Sequence, residues 1–512
     1  MAHYILGGII MQTNKTHVES GCPLVMNRRS FLAAAGTVAA ATELGALDFA
    51  SSLFAAEAKP AKKPLIRAAF VRPNIERYWM GWPGAAYDIK ARQRQYTDVL
   101  TNAAKKFGID LMVSPEPLHS PDLVNSFLEN LKKTPPDGLM IISMCLHHTG
   151  FRSWSHTNNI AKNRGNIPTI VFSPMGTSFT GDLQGSRNIP GVFVAATQDV
   201  QWLDFGMRML STIHKMKNTR ICIVKGDQVR DKKLDVVGTT LHYIPESRFI
   251  EEFKKVQESD EVRAMADHYA NNAKKIVEPT KRDILNAAKN YIVCRRLMAA
   301  EECQGFSMDC LGPVTRHLIQ PPCMAFSRLR DEGGLGTCEA DWKAAISTRL
   351  TNLLFDRPGF MQDPAPNTIK NTLMGAHCSC ATKLDGFDKP PAPFILRSHS
   401  ESNIGVAMQV LWRIDQKVTV IDFAGPEKII LGTGRVLRNI DTPPSGGCRT
   451  SLEIEVDDVK DSRDIKGFHQ LFIYGDLKLP FKAYCQLAGI KVLNIIGEED
   501  PSVVVAEATS PT

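Results

Sequence analysis

Acidic and histidine side chains stand at the ends of several short segments in the second half of this chain. Glu339 follows a glycine-rich stretch and precedes a helical pattern, and Asp363 comes just after that pattern ends. His377 follows a Gly-Ala pair, and His469 opens an apolar, strand-like run. Carboxylate oxygens and imidazole nitrogens suit manganese, iron or zinc, whereas the thiolate cluster of a structural zinc site is absent from the sequence. These residues predict a divalent metal site.

Some of these positions also have a purely structural interpretation, which the sequence alone leaves open. Asp341, two positions after Glu339, has the residue type and position of a helix cap. His377 is also compatible with a core histidine whose hydrogen bonds are satisfied internally. The sequence contains no P-loop, no His-Glu-x-x-His motif, no Gly-x-Ser-x-Gly elbow and no Gly-x-Gly-x-x-Gly loop. Metal-assisted chemistry is therefore the activity that the residue types favour.

The hydrophobic pattern predicts an α/β scaffold for these residues, followed by a β-rich end. Short apolar runs alternate with helical patterns, which predicts βαβ units and parallel sheets. In the first cycle we expect a strand at Leu65–Val71 and an amphipathic helix over residues 90–107 that Gly108 closes. From about residue 375 strands dominate, and residues 451–456 alternate strictly between apolar and polar side chains. That pattern predicts a mainly antiparallel, barrel-like domain.

A chain of 512 residues exceeds the size of one hydrophobic core, so several domains are expected. The second α/β cycle is predicted to hold a long helical region over residues 247–302, a short strand at 324–327 and a helix over 341–354. The expected division is an N-terminal extension with a signal peptide (1–58), a first α/β domain (59–190), a second α/β domain with the carboxylates (191–374) and a β-rich C-terminal domain (375–512).

Four runs of residues resemble the L-fucose/L-arabinose isomerase family. The run Cys338-Glu339-Ala340-Asp341-Trp342-Lys343 is similar to the Glu-Gly-Asp-Trp-Lys motif of L-arabinose isomerases. Residues 309–333 are similar to the wider fucose-isomerase-like family, and residues 446–450 and 469–476 to its C-terminal domain. The resemblance covers residues 66–492 and is specific from residue 306 onward. It implies two Rossmann-like α/β domains followed by a β-rich domain.

The resemblance also implies roles for individual residues. Glu339 matches the first metal-ligating carboxylate, Asp363 the second, and His469 the C-terminal histidine ligand. Gln362 stands where arabinose isomerases have their second carboxylate, so the two positions remain alternatives. His377 matches a histidine that is a ligand in arabinose isomerases but not in fucose isomerases.

The activity that the resemblance implies is aldose–ketose isomerisation of a free sugar through a cis-enediol. A proton then moves between adjacent carbons, and Glu339 and Asp363 would exchange the acid and base roles. The implied cofactor is a divalent metal, for which we expect manganese, and it offsets the charge of the enediolate. The alternatives are an exported, non-catalytic sugar-binding protein on the same scaffold, or another metal-dependent sugar enzyme such as an epimerase or a lyase.

Aromatic side chains suit the faces of sugars, and the densest aromatic cluster of the chain contains Trp79, Trp82 and Tyr87. We expect these residues and Arg449 to contact the substrate, although an apolar core or domain interface would use the same aromatic cluster. The resemblance implies a homo-oligomer in which this loop helps to close a neighbouring subunit's site.

The N-terminal region carries the pattern of a twin-arginine export signal. Arg28 and Arg29 precede Phe-Leu and an alanine-rich stretch, and a small-x-small cleavage pattern follows at residues 56–58. We expect export to the periplasm or cell envelope, with a cytoplasmic location as the alternative and Met26 as the true start. No membrane span is expected after cleavage. The net charge of +7 is scattered rather than clustered, so nucleic-acid binding is not expected.

Overall fold

A computed structural model of the protein describes residues 62–80, 85–443 and 446–506. The predicted export signal and Trp82 lie outside the described residues, as do the side chains of Trp79 and Tyr87. The helices are α1 (Ile89–Phe107), α2 (Pro121–Lys133), α3 (Ser153–Asn163), α4 (Thr180–Arg187), α5 (Trp202–Lys217), α6 (Glu246–Lys255), α7 (Asp260–Asn272), α8 (Lys281–Ala300), α9 (Leu311–Thr315), α10 (Cys323–Asp331), α11 (Trp342–Phe355) and α12 (Lys478–Ala488).

The strands follow the predicted change from an α/β pattern to a β-rich end. Those of the α/β part and its connections are β1 (Leu65–Val71), β2 (Arg77–Met80), β3 (Ala85–Asp88), β4 (Asp110–Val113), β5 (Gly138–Ser143), β6 (His147–His148), β7 (Phe151–Arg152), β8 (Thr169–Pro174), β9 (Val192–Thr197), β10 (Arg220–Val224), β11 (Arg230–Lys233), β12 (Thr240–Ile244), β13 (Lys275–Ile276), β14 (Gly305–Met308) and β15 (Gly336–Cys338). The remaining strands are β16 (Phe360–Asn367), β17 (Thr372–His377), β18 (Phe394–Arg397), β19 (Ala407–Val410), β20 (Lys417–Gly425), β21 (Lys428–Asn439), β22 (Thr450–Val456), β23 (Gln470–Tyr474) and β24 (Lys491–Asn494).

The first sheet is parallel throughout and has the strand order β4-β1-β5-β8-β9. Its strands β1 and β5 are almost wholly buried, as expected of a parallel sheet that is covered on both faces. Helix α1 begins where the Asp88 carboxylate accepts a hydrogen bond from the Ala91 amide, 2.8 Å away. It ends at Gly108, whose φ of 65° is accessible at little cost to glycine. The predicted limits of this helix are therefore confirmed.

The second sheet has the order β11-β12-β10-β14-β15, in which only the β11–β12 pair is antiparallel. The long helical region predicted over residues 247–302 is divided into α6, α7 and α8, because Ser259 and Thr280 each cap a new helix with their hydroxyl groups.

The strand predicted at residues 324–327 is wrong, since these residues belong to the helix α10. Every residue of this helix is buried except Arg328, so its apolar residues show no clear helical period. A short apolar run of this kind cannot be distinguished from a buried strand by pattern alone.

The C-terminal region contains a closed antiparallel β-barrel of six strands, which confirms the predicted β-rich, barrel-like end. The strands run in the order β20-β23-β16-β17-β22-β21, and the pairing of β20 with β21 closes the ring. The barrel takes its first strand from Phe360 onward, within the part of the sequence that we assigned to the second α/β domain. Helix α11 packs against β20, so the carboxylate-bearing junction before this helix faces the barrel.

A continuous hydrophobic core joins the two parallel sheets to the barrel, with buried residues from β1 through β24. A small third sheet, β13-β18-β19, lies beside the barrel. Among the described residues, no helix has both the length and the apolar character needed to cross a membrane.

Candidate metal centre

The barrel brings parts of three adjacent strands to one point, and these parts carry the predicted histidines and one carboxylate. Asp363 lies on β16, whose two neighbours are β17 and β23. Because Gln362 pairs with Gln470, Asp363 lies beside His469 at the start of β23. His377 is the last residue of β17. Glu339 reaches the same point from the turn between β15 and α11.

The distances around Nε2 of His469 are those expected of atoms that share one ion. Nε2 of His469 lies 3.1 Å from Oδ1 of Asp363 and 3.4 Å from Oε2 of Glu339. Ligands bound at about 2.1 Å on adjacent positions of one metal ion are about 3.0–3.4 Å apart. Ligand atoms of Glu339, His377 and His469 all lie within 4.8 Å of one another. Nε2 of His469 and Oδ1 of Asp363 are buried and have no hydrogen-bond partner among the described residues, so the donor set fits a metal ion.

The exposure of the cluster is uneven. The side chains of His469 and His377 are 3% and 7% exposed, whereas those of Glu339 and Asp363 are 32% and 38% exposed. The histidines therefore form the floor of the site, and the carboxylates border its open side. An open side is what a catalytic metal site needs for a substrate, in contrast to a closed structural site.

Asp341 caps α11, as its residue type and position indicate, and it also orients His469. Its Oδ1 accepts hydrogen bonds from the amides of Lys343 and Ala344, at 2.7 and 3.2 Å. Its Oδ2 lies 2.8 Å from Nδ1 of His469. This contact holds the proton on Nδ1 and turns Nε2 toward Glu339 and Asp363, as in the carboxylate–histidine–metal arrangement. Sequence reasoning predicted the cap, but only the fold discloses the contact with His469.

The hydrogen bonding of His377 differs from that of His469: its Nδ1 is an acceptor, so its Nε2 is the donor in the neutral ring. Its Nδ1 accepts a hydrogen bond of 3.0 Å from the backbone amide of Cys378. In the neutral ring the proton then resides on Nε2, which lies 3.8 Å from Oε1 of Glu339. A protonated Nε2 donates and cannot bind a cation. The distances place Nε2 of His377 within reach of an ion shared with Glu339 and His469, whereas the hydrogen bond from Cys378 favours a role beside the metal rather than on it.

Gln362 and Asp363 point in opposite directions, because neighbouring residues of a strand face opposite sides. Gln362 is fully buried, and its amide donates to the side-chain oxygen of Gln470, 3.1 Å away. Asp363 alone reaches His469. Of the two alternatives that the sequence left open, Asp363 is therefore the one whose side chain lies next to His469.

Glu339 and His469 of the cluster, together with Ala340 beside Glu339, hold the left-handed backbone conformation, which is uncommon for residues other than glycine. The φ angles of Glu339 and Ala340 are 59° and 53°, and that of His469 is 58°. Each such residue costs about 1–2 kcal/mol relative to right-handed backbone. Strain of this kind concentrates at functional sites, where the fold uses it to aim side chains.

Charges in the cluster stabilise one another. Burial opposes the charged form of His469, but Asp341, Asp363 and Glu339 outweigh burial and raise its pKa to about 11. Contact with His469 is the largest of the effects that lower the pKa of Glu339. Burial alone would raise the pKa of Asp363, but His469 and His377 bring it below its usual value. Both carboxylates are therefore ionised at neutral pH, and the proton on His469 occupies the place of a cation.

Two further residues near the cluster were not identified from the sequence. Asp422 on β20 is buried and accepts a hydrogen bond of 3.2 Å from the Phe468 amide, next to His469. Its burial raises its pKa to about 6. His399 is buried close enough to Cys378 and Glu339 for their charges to affect its pKa, which burial lowers. Neither residue belongs to a motif, so no local signal in the sequence marks them.

The expected contact of Arg449 with a substrate needs correction. Its guanidinium group is fully buried and donates to the carbonyl oxygens of Ser398 and Pro443, each at 2.7 Å. A side chain without exposed surface cannot touch a ligand in this conformation. Arg449 instead ties the chain before β22 to the segment after β18. The predicted contacts of Trp79, Trp82 and Tyr87 concern side chains outside the described residues.

The centre thus combines two ionised carboxylates, an oriented imidazole and an open side, a combination that can hold a cation and move a proton. No protein-family model matches this chain, and no curated protein matches it.

Proposed function

We propose that this protein is a metal-dependent aldose–ketose isomerase that acts on a free sugar through a cis-enediol. The observation that supports it most is the convergence of Glu339, Asp363 and His469, with buried donor atoms that lack hydrogen-bond partners. A sugar-binding protein would need no pair of ionised carboxylates beside an oriented histidine. The resemblance of residues 338–343 to the isomerase motif points to the same reaction.

In this proposal Glu339, Asp363 and His469 hold a divalent cation, for which the resemblance implies manganese. The cation would offset the negative charge that develops on two neighbouring sugar oxygens. Glu339 and Asp363 border the open side, so one carboxylate can accept the proton from carbon while the other serves the sugar oxygens. Asp341 keeps Nε2 of His469 directed at the cation, and the Nε2 proton of His377 can donate to a sugar oxygen or to Glu339.

The wider architecture of the proposal follows the same resemblance. We take the two parallel-sheet regions to be Rossmann-like domains, which their strand orders β4-β1-β5-β8-β9 and β11-β12-β10-β14-β15 support. The resemblance further implies a homo-oligomer in which the segment around Trp79–Tyr87 approaches a neighbour's site. The pattern at Arg28 and Arg29 suggests export to the periplasm or cell envelope.

The decisive experiment combines metal analysis of the purified protein with a panel of aldoses and ketoses. We expect Mn²⁺-dependent interconversion of at least one aldose–ketose pair. Glu339→Gln keeps the shape of the side chain but removes its charge and basicity, so kcat should fall at least ~100-fold. Its circular dichroism should match that of the unchanged protein. Tight sugar binding without turnover, in the presence of Mn²⁺, would instead assign a binding protein.

A matched pair of histidine variants tests the assignment of the ligands by calorimetric titration with Mn²⁺. His469→Gln should weaken Mn²⁺ binding by more than about 100-fold, since losing even an outer partner of a ligand costs ~10–100-fold. His377→Gln keeps a side-chain N–H group and should weaken Mn²⁺ binding by less than about tenfold. Equal losses in the two variants would contradict the different roles of these histidines.

A further inference from the structure

A cavity that is separate from the candidate metal centre lies where three helices meet. It has a volume of about 360 Å³ and is bordered by the end of α1, by the middle of α5 and by the C-terminal half of α11. Helix α11 begins at the metal centre and has 14 residues. At a rise of 1.5 Å per residue it spans about 20 Å, so the two sites lie at opposite ends of one helix.

Four cationic side chains border this cavity, against one carboxylate. They are Lys106, Arg208, Lys215 and Arg349, and the carboxylate is Asp356. Two of the cations are paired: Lys106 lies 3.0 Å from Asp204, and Arg208 lies 2.5 Å from Asp356.

The other two cations have no carboxylate partner in the part of the chain that the structure describes. Lys215 donates to the carbonyl oxygen of Phe107 at 3.1 Å, and Arg349 donates to the hydroxyl of Thr219 at 3.2 Å. Both side chains are only partly exposed, and neither forms an ion pair with a carboxylate of the described residues, although the charge of Asp356 acts on Lys215. A partly buried charge without an ion-pair partner is costly, and an anion in the cavity would relieve that cost.

The lowered pKa values of Lys215 and Arg349 are consistent with a cavity in which positive charge exceeds negative charge. Burial lowers the pKa of Lys215, and the neighbouring charges of Arg349 and Arg208 lower it further. Burial also lowers the pKa of Arg349 to about 10. An anion placed between these cations would attract each of them and offset their mutual repulsion.

The polar groups that face the cavity also fit an oxyanion. The hydroxyl of Ser211 lines the cavity, is almost fully buried and has no hydrogen-bond partner among the described residues. A guanidinium fork, an ammonium group and a hydroxyl together match the oxygens of a phosphate group. Phe107 and Phe387 add apolar walls, and the volume lies in the range of small-molecule sites rather than of a single ion.

We propose that this cavity binds a small molecule that carries a phosphate group, with Arg349 and Lys215 as the residues that recognise the phosphate. The apolar walls would contact the remainder of the ligand. The proposal does not depend on the isomerase activity, because none of its residues belongs to the metal centre.

Calorimetric titration and thermal unfolding test this site with inorganic phosphate and glucose 6-phosphate as probes and with glucose as the uncharged control. Both phosphates should bind the full chain and raise its Tm, since a ligand that binds only the folded state stabilises it. Glucose should do neither at this site. Arg349→Gln and Lys215→Gln should each weaken phosphate binding at least tenfold.

The Tm of the Arg349→Gln variant distinguishes a specific loss of phosphate binding from damage to the fold. In phosphate-free buffer Arg349→Gln should have a Tm equal to or above that of the unchanged protein, because it removes an unpaired buried charge. Arg435→Gln, an exposed arginine paired with Glu455 on the barrel, is the matched control and should bind phosphate normally. Equal phosphate binding by the Arg349 and Arg435 variants, or no binding by the unchanged protein, would overturn the proposal.

Discussion

At the scale of single residues, the central feature of this protein is the proton on His469. Asp341 holds Nδ1 of this ring at 2.8 Å, and Asp363 and Glu339 approach Nε2 at 3.1 and 3.4 Å. Three carboxylates around one imidazole favour its doubly protonated form. A metal ion can bind Nε2 only after the proton has left, so metal binding and proton release are coupled.

The first prediction is that Mn²⁺ binding strengthens as the pH rises. The pKa of His469 is raised to about 11 in the metal-free protein, well above its usual 6.5. One proton is then displaced for each ion bound, and the apparent Kd should fall by up to tenfold per pH unit between about pH 6.5 and 8.5. Calorimetry in buffers of different ionisation enthalpy measures the proton released.

The raised pKa of His469 also determines whether stability rises or falls with pH. Because the folded pKa of His469 exceeds its unfolded value, its contribution to the stability of the metal-free protein is complete below about pH 6.5 and declines toward pH 11. The Tm of the metal-free protein should therefore fall as the pH rises through this range, and saturating Mn²⁺ should reduce the fall. A pH-independent Kd would contradict the proposed proton displacement.

At the scale of secondary-structure elements, the turn from β15 into α11 determines where Glu339 points. Cys338 ends the strand, Asp341 caps the helix, and Glu339 and Ala340 reverse the chain direction with positive φ angles. The corresponding position of the resembled motif holds glycine where this chain has Ala340. Glycine adopts this conformation without steric strain, which explains why a glycine and a small alanine can occupy the same turn.

The second prediction concerns this turn. Ala340→Gly should change the free energy of unfolding by less than about 1 kcal/mol, since relief of strain offsets the lost methyl group and the greater freedom of the unfolded chain. Ala340→Val places a β-branched residue at a φ of 53° in a buried position and should destabilise the protein by more than about 2 kcal/mol. Urea unfolding of the metal-free protein measures both changes.

Ala345 provides the matched control for this comparison. It is fully buried within α11, where the backbone is ordinary helix. Ala345→Gly should therefore destabilise the protein by roughly 1–2 kcal/mol, from lost helix propensity and lost burial. If the glycine variants of Ala340 and Ala345 lose the same stability, the turn before α11 stores no strain.

At the scale of the whole molecule, the metal centre depends on the docking of a closed barrel against the second α/β sheet. The barrel supplies Asp363, His377 and His469, and the α/β part supplies Glu339 and Asp341. A cluster of this kind exists only once both parts are folded and in contact. Export of a folded protein by the twin-arginine route would allow the metal to be inserted before export.

The third prediction is that replacing Arg28 and Arg29 with lysine retains the precursor in the cytoplasm. The paired arginines precede the alanine-rich stretch in the manner of a twin-arginine signal. Fractionation of cells followed by immunoblotting measures the distribution and the size of the precursor. The other adjacent arginine pair of the chain, Arg295 and Arg296, is the control, and its replacement with lysine should leave export unchanged. Equal export of all three proteins would refute the twin-arginine assignment.

Features that depend on neighbours in the sequence were determined by the sequence itself. The limits of α1 follow from Asp88 and Gly108, which act on backbone groups within one helical turn. The alternation over residues 451–456 likewise predicted a barrel strand, because successive side chains of a strand face opposite sides. The residue types of Glu339, Asp363 and His469 suit a divalent metal, but the resemblance of residues 338–343 was needed to predict them as ligands.

Features that depend on register and docking were decided only by the tertiary structure. Asp341 and His469 are 128 positions apart, and only the pairing of β16 with β23 and the packing of α11 on the barrel bring them together. Register also selects Asp363 over Gln362, since a shift of one residue turns the opposite side chain toward the site. The helical state of α10 depends on the burial of nearly all its side chains. Which groups Arg349 and Lys215 contact depends on the helices that pack around them. No local sequence pattern records either feature. Local hydrogen bonds and caps are encoded by adjacent residues, whereas a site assembled from distant strands exists only as a property of the packed fold.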